Sequence, residues 1–199
     1  MSLRTFVAEA LINFPTVAAI SPSSSYLATA MLEPLTLART RVALELGAGT
    51  GVITRALLNQ LSPHATLLVF EINPRFFDCL RRSISDPRVI LINSSAENLD
   101  LELRRRGIKQ VDAVTSSLGL AFIPDPERQA LFQRLAPFLH QESVFTQFQY
   151  IHGLQFVGGR LCRLNLRPLL KRYFGSVQSR IVWRNLPPAF VFTCHARTQ

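Results

Sequence analysis

Cysteine is scarce in this 199-residue chain. Cys79, Cys162 and Cys194 are scattered and odd in number. They form neither a disulfide framework nor a paired metal site, and they fit a reducing compartment. No apolar run is long enough for a simple membrane-spanning helix, which needs roughly 18 or more residues. The first fourteen residues carry one Arg and no cleavable small-residue site, so no secretory leader is read there. Charge is also sparse, at 18% of residues against 48% hydrophobic, with mean hydropathy +0.19. That balance excludes an intrinsically disordered chain. The four histidines (His64, His140, His152, His195) show no ligand spacing, so no metal site is expected.

Two absences concern charge. Lysine is nearly missing: Lys109 and Lys171 stand against 20 arginines. Acidic residues are missing altogether from positions 151–199, which hold eight basic ones, whereas positions 1–150 are nearly balanced. Arginine binds phosphate through a planar fork. The lopsided tail therefore points to an anionic partner: nucleic acid, a membrane surface or a phosphate-bearing substrate. A solvated basic face is the alternative.

What is present is a strand-helix alternation. Apolar runs at Val42–Leu46, Thr66–Glu71, Val89–Asn93, Val111–Ser116 and Ser143–Tyr150 read as strands. Amphipathic stretches at Gly51–Leu61, Pro74–Ile84, Leu99–Arg106 and Glu127–Leu139 read as helices. The pattern predicts a parallel sheet covered by helices on both faces. The tail departs from it, with a helix expected over Arg160–Phe174 and then strands at Val177–Trp183 and Ala189–His195, antiparallel to each other. The length suits a single domain over residues 1–199, with a helical segment at 1–38 ahead of a sheet domain at 39–199.

Between the first strand and its helix stands Glu45-Leu46-Gly47-Ala48-Gly49-Thr50-Gly51. Alternate glycines let the backbone turn sharply and approach a ligand. A dinucleotide fingerprint would need Gly at position 52, which is Val52, and no Gly-Lys-Ser/Thr follows for a nucleotide-triphosphate loop. An acid ahead of the glycines opposes a pyrophosphate and suits a cationic amine. Glu71, ending the second strand, is placed to accept both hydroxyls of a ribose.

Val42 to Gly51 resembles the first motif of class I S-adenosylmethionine-dependent methyltransferases. The resemblance implies a seven-stranded, mostly parallel, Rossmann-like α/β sheet whose last strand is antiparallel. It implies S-adenosylmethionine as cofactor and S-adenosylhomocysteine as product. It places Glu45 near the methionine amine and Gly47, Ala48, Gly49, Thr50 and Gly51 along the methionine and ribose. Glu71 and Ile72 would take the ribose side, with Ser95 and Ala96 beside the adenine. Ser95 stands where many members have Asp.

Ser21 to Ala28, Thr115 to Pro124, Phe145 to Tyr150 and Asn185 to Ala189 together look like the soluble bacterial phospholipid N-methyltransferases. These methylate phosphatidylethanolamine towards phosphatidylcholine, and close relatives methylate ornithine lipids. Gly119 replaces a Pro common in that group. The resemblance implies a phospholipid substrate and a cytoplasmic protein held peripherally at the inner face of the membrane.

The residues leave the chemistry less defined. Ser116 and Ser117, at a strand's carboxyl end, either position the reacting amine or satisfy the strand end. Tyr26, Tyr150 and His152 are candidates to accept the amine proton. Arg160, Arg163, Arg167 and Lys171, three and four apart, would line one face of a helix and meet anionic lipid. Phe6, Val7, Ala10, Leu11 and Phe14 form a further apolar helical face. An RNA adenine N-methyltransferase is the rival. Ser116-Ser117-Leu118-Gly119 lacks the Asn- or Asp-Pro-Pro-aromatic motif that grips adenine, so nucleic acid is disfavoured.

Overall fold

The computed structural model describes residues 25–151, 154–157 and 160–197. Ser21-Pro22 and the Phe6–Phe14 face lie outside the described residues, as does His152. Helix α1 (Ser25–Leu32) precedes β1 (Val42–Leu46), α2 (Val52–Leu58), β2 (Thr66–Phe70), α3 (Pro74–Ser83) and β3 (Val89–Ile92). There follow α4 (Leu99–Arg105), β4 (Val111–Ser116), α5 (Asp125–Leu135) and β5 (Leu139–Tyr150). The tail comprises β6 (Leu154–Val157), β7 (Arg160–Arg163), α6 (Arg167–Tyr173), β8 (Ser176–Val182) and β9 (Ala189–His195).

Seven strands form one sheet in the order β3-β2-β1-β4-β5-β9-β8, and β6 and β7 pair separately. Strands β1 to β5 run parallel; β9 is antiparallel to both β5 and β8. This is the expected sheet. Its two faces carry separate cores. Leu44, Leu46, Leu68, Phe70 and Val114 pack under α4, α5 and α6. Ala43, Leu67, Val69, Ala113 and Val144 pack under α1, α2 and α3.

Local chemistry sets the ends of the elements. Asn73 caps α3, its Oδ1 accepting from the amides of Arg75 (2.9 Å) and Phe76 (3.4 Å), with Pro74 in the first turn. Arg88 donates to the carbonyls of Leu58 (2.9 Å) and Leu61 (2.8 Å) at the end of α2 while paired to Asp86. At the sheet edge where β1 and β4 begin, Asp112 Oδ2 accepts from the amides of Arg41 and Val42, both 2.8 Å. Its other oxygen meets His140 Nε2 at 2.8 Å, so one carboxylate fastens the starts of β1, β4 and β5.

Two sequence expectations are corrected. Helix α5 begins at Asp125 rather than Glu127, because Pro126 is tolerated in a first turn and Asp125 and Glu127 suit its dipole. It ends at Leu135, and β5 already begins at Leu139. The helix expected over Arg160–Phe174 exists only from Arg167. Pro168 sits in its first turn, and a proline further inside would clash with the carbonyl four residues before it, so no helix runs through it from Arg160. Residues 154–157 and 160–163 are paired antiparallel strands instead, with Val157 opposite Arg160.

An aromatic cluster docks α5 and α6 on β5. Phe132 meets Phe145 edge-on at 5.6 Å and stacks on Tyr173 at 5.5 Å. Phe174 stacks on Phe145 at 5.2 Å. Phe132→Ala should cost about 3–5 kcal/mol of unfolding free energy by chemical denaturation, since this fully packed ring joins three elements.

Candidate active site

The carboxyl ends of β1, β2, β4 and β5 converge on one edge of the sheet. The β1–α2 loop starts there, with the amides of Gly47 (2.9 Å) and Ala48 (3.2 Å) donating to the carbonyl of Phe70. Gly49 has φ +55°, which disfavours a side chain, and a Cβ there would meet nothing within 4 Å. The backbone therefore lies open, with room for a ligand against it. At Gly51 a Cβ would stand 2.6 Å from Leu80 Cδ2 and 2.9 Å from Arg55 Nη1. That glycine serves the close approach of α2 and α3.

Glu71 is buried at this edge and bridges two loops. Its Oε2 accepts from the Gly49 amide and its Oε1 from the Asn73 amide, each at 2.7 Å. Asn93 Nδ2 donates to its carbonyl at 2.8 Å. Burial raises the Glu71 pKa, and the amides of Asn73, Gly49 and Ile72 oppose the rise. Each carboxylate oxygen keeps a lone pair free of these amides, which suits two neighbouring hydroxyls.

Glu45 is wholly buried, and neither of its carboxylate oxygens has a hydrogen-bond partner. Burial pushes its pKa up to about 7. The Thr54 side chain opposes this, and the Glu71 charge adds to it. In register, Glu45 lies beside Thr115, and Thr115 beside Thr146, on the face covered by α1 and α2. Thr54, Thr115 and Thr146 each bury a hydroxyl that is likewise unpartnered. A bare carboxylate flanked by hydroxyls complements a cation.

Across the sheet edge lies a cleft of about 470 Å³ including its mouth, lined in part by Ile72, Ser95, Ala96, Leu118, Ile123 and Glu127. Its lining is mostly apolar. Ser95 is committed locally: its hydroxyl accepts from the Glu97 amide at 3.3 Å and caps the turn at Ala96–Asn98. Glu127, from α5, has one buried carboxylate oxygen with no partner. Sequence reasoning missed it because it lies far along the chain from the glycine loop. It also missed Asn73, although the Asn-Pro pair is a helix-start signal. Gln147 was missed as well; its Nε2 donates to the Leu118 carbonyl at 3.0 Å and holds the cleft wall.

The proposed catalytic residues divide. Ser116 is buried, and its Oγ accepts from the Leu118 amide at 3.4 Å, while the Ser117 amide donates to Leu46 at 2.8 Å. Both shape the turn beside the glycine loop. Tyr150 shares the sheet face of Thr146, two pleats on, with its ring edge-on to Phe148 at 5.3 Å; burial raises its pKa. Tyr26, on α1, is half-exposed with the Arg184 guanidinium 4.9 Å above its ring. The structure thus unites Glu45, Glu71, the glycines, Ile72, Ser95, Ala96, Ser116 and Ser117 at one edge, with Tyr150 and Tyr26 further out.

The basic stripe does not exist as one face. Arg160 and Arg163 stand on β7, which pairs with β6 apart from the seven-stranded sheet. Arg167 Nη2 donates to Ser179 Oγ at 2.6 Å and its Nη1 to the Val177 carbonyl at 3.2 Å, tying α6 to β8. Lys171 lies beside Gly175 and Arg197, near the opposite sheet edge.

Comparison with known proteins agrees with this geometry. A family described as methyltransferase domain matches residues 43–142. The ornithine lipid N-methyltransferase of Singulisphaera acidiphila is 30% identical over 179 residues, 89% of this chain and 88% of that protein. Ribosomal RNA small subunit methyltransferase H of Bordetella pertussis is 37% identical over 92 residues, but these cover 45% of this chain and 25% of that protein. The Burkholderia thailandensis 1,6-didemethyltoxoflavin-N1-methyltransferase, solved with S-adenosylhomocysteine bound, matches with TM-score 0.67 at 18% identity. That match covers 98% of this chain and 88% of the solved one.

The Glu45 carboxyl yields a prediction with a definite sign. Its pKa is higher in the fold than in the unfolded chain, so stability falls as pH rises from about 4.5 to about 7 and stays reduced above. Glu45→Gln should therefore raise the unliganded melting temperature at pH 8 by roughly 10 °C and leave it nearly unchanged at pH 4. Thermal scans at the two pH values check this.

Proposed function

The chain belongs to the S-adenosylmethionine-dependent methyltransferases, and from that premise we propose that it N-methylates the amine headgroup of a membrane lipid. The observation that carries this reading is the near full-length similarity to an ornithine lipid N-methyltransferase. The ribosomal RNA enzyme shares less than half of this chain, so its likeness favours no RNA substrate. Phosphatidylethanolamine and an ornithine lipid both present a primary amine next to an anionic group. Both are substrates on this reading, with phosphatidylethanolamine converted towards phosphatidylcholine. No helix among the described residues is long and apolar enough to cross a membrane. The proposal is of a peripheral enzyme at the cytoplasmic face.

When bound, S-adenosylmethionine supplies a methyl group already activated on its sulfonium. Glu71 would accept its two ribose hydroxyls, and Glu45 would pair with its amine through the oxygens that lack partners. The loop from Gly47 to Gly51, open at Gly49, would follow the methionine and ribose, and Ile72, Ser95 and Ala96 would enclose the adenine. Glu127 would accept from the adenine amino group, the part Ser95 leaves unfilled because it caps its own turn. Holding the amine in line with the methyl supplies much of the rate. The half-buried Tyr150 phenol stays protonated, and its oxygen would accept an N–H of the neutral amine, leaving the lone pair free to face the methyl. Ser116 and Ser117 would shape the wall against which the amine sits. Arg160 and Arg163, on β7 beyond Tyr150, would meet the lipid's anionic group.

Labelled methyl transfer should appear in lipid when vesicles containing phosphatidylethanolamine or an ornithine lipid are offered beside structured RNA. Label in RNA alone would sink the lipid reading. Glu71→Ala should weaken S-adenosylhomocysteine binding roughly 100-fold by calorimetry, since two hydrogen bonds to a charged group are lost. Glu127→Leu should weaken the same ligand about tenfold yet scarcely affect its inosine analogue, which lacks the amino group.

A further inference from the structure

The β8–β9 loop, residues 183–188, stands at the same sheet edge as the candidate site. Strand β8 runs parallel to β5, because both are antiparallel to β9. The β4–β5 pairing ends at Ser116 and Gln147, but β5 and β9 stay paired to Tyr150 and Ala189, with Val182 of β8 alongside. The three-strand ribbon thus projects three residues, roughly 10 Å, past the end of β4. The loop caps this projection.

Two large apolar side chains lie bare on it: Trp183 is 70% exposed and Leu186 is 78% exposed. Their exposure is built into an ordered turn. Asn185 between them is buried, and its Nδ2 donates to the Pro187 carbonyl at 2.7 Å. The Pro188 carbonyl accepts from the Ile151 amide at 3.0 Å, which fastens the loop to the end of β5. With Asn185 turned inwards, Trp183 and Leu186 stand on the solvent side. Arg184 lies between them in sequence, its guanidinium over Tyr26. No acidic residue occurs anywhere in positions 151–199.

We propose that Trp183 and Leu186 insert into the interfacial layer of an anionic bilayer and dock the active-site edge on it. This deepens the lipid-amine reading and rests on it. An indole with an apolar body and one N–H donor suits the headgroup boundary. Arg184 within the loop, and the lack of any acid in positions 151–199, match an anionic surface. Two side chains offer a few hundred Å² at most, well short of the roughly 800 Å² per partner that a stable protein interface buries. A bilayer needs no such continuous, shape-matched patch.

Trp183 is the sole tryptophan of the chain, so its fluorescence reports this loop alone. The test uses the full chain and vesicles of phosphatidylglycerol and phosphatidylcholine, which contain no primary amine. Expected is a shift of emission to shorter wavelength and quenching by lipids brominated in the upper acyl chain. Leu186→Ser should weaken vesicle binding about tenfold while S-adenosylhomocysteine affinity stays unchanged, which also certifies the fold. Co-sedimentation with unshifted Trp183 emission would overturn the proposal, as would no vesicle binding at all. The two readings fail separately. Insertion of Trp183 without methylation of any lipid amine leaves the anchor and removes the substrate. Methylation of a lipid in detergent with Trp183 in water throughout leaves the substrate and removes the anchor.

Discussion

The Glu71 carboxylate is the hinge pin of the site. Two backbone amides, from Gly49 and Asn73, reach it from opposite sides, so the turn after β1 and the turn after β2 are held by one charged group. Such charge-assisted bonds are stronger than neutral ones, and here they are shielded from water. The glycine loop must take an unusual backbone course to deliver the Gly49 amide. Asn73 must cap α3 and present its own amide in the same short span.

Glu45 is the counterweight. Apart from the opposing influence of Thr54 it is poorly compensated in the unliganded fold, wholly buried beside Thr115. On the proposed reading, this placement suits the cationic amine of the cofactor. The protein therefore trades stability for a prepared electrostatic environment, as strained or unsatisfied groups at functional sites commonly do. Asp112 at the other edge shows the contrast: of the same chemical type, it is saturated by two amides and His140, and it holds the frame together.

The sheet was legible because each parallel strand is a short apolar run closed by a turn signal, and hydrophobic periodicity is a local property. Glu45, the glycines and Glu71 were legible because a whole motif lies within one strand-turn-helix-strand unit. The tail was harder. Arginines three and four apart satisfy a helical repeat, yet residues 160–163 pair as a strand with residues 154–157 and Pro168 fixes the helix start after them. Pairing across strands overrode a local pattern. Glu127 and Gln147 were invisible to local reading for a different reason: each reaches the site from an element distant in sequence, and only the packing of α5 and the β4–β5 register bring them there.

The ribbon formed by β5, β9 and β8 has a mechanical meaning. A loop on a loose tether would let the enzyme tumble against whatever it touched, whereas paired strands hold the tip of the ribbon at a fixed height above the glycine loop. Were the tip seated in headgroups as proposed, that height would act as a ruler. A lipid would rise only far enough to bring its polar end to the catalytic edge, leaving its tails in the bilayer. An enzyme gauged this way would read the headgroup and be indifferent to the length and saturation of the chains beneath it.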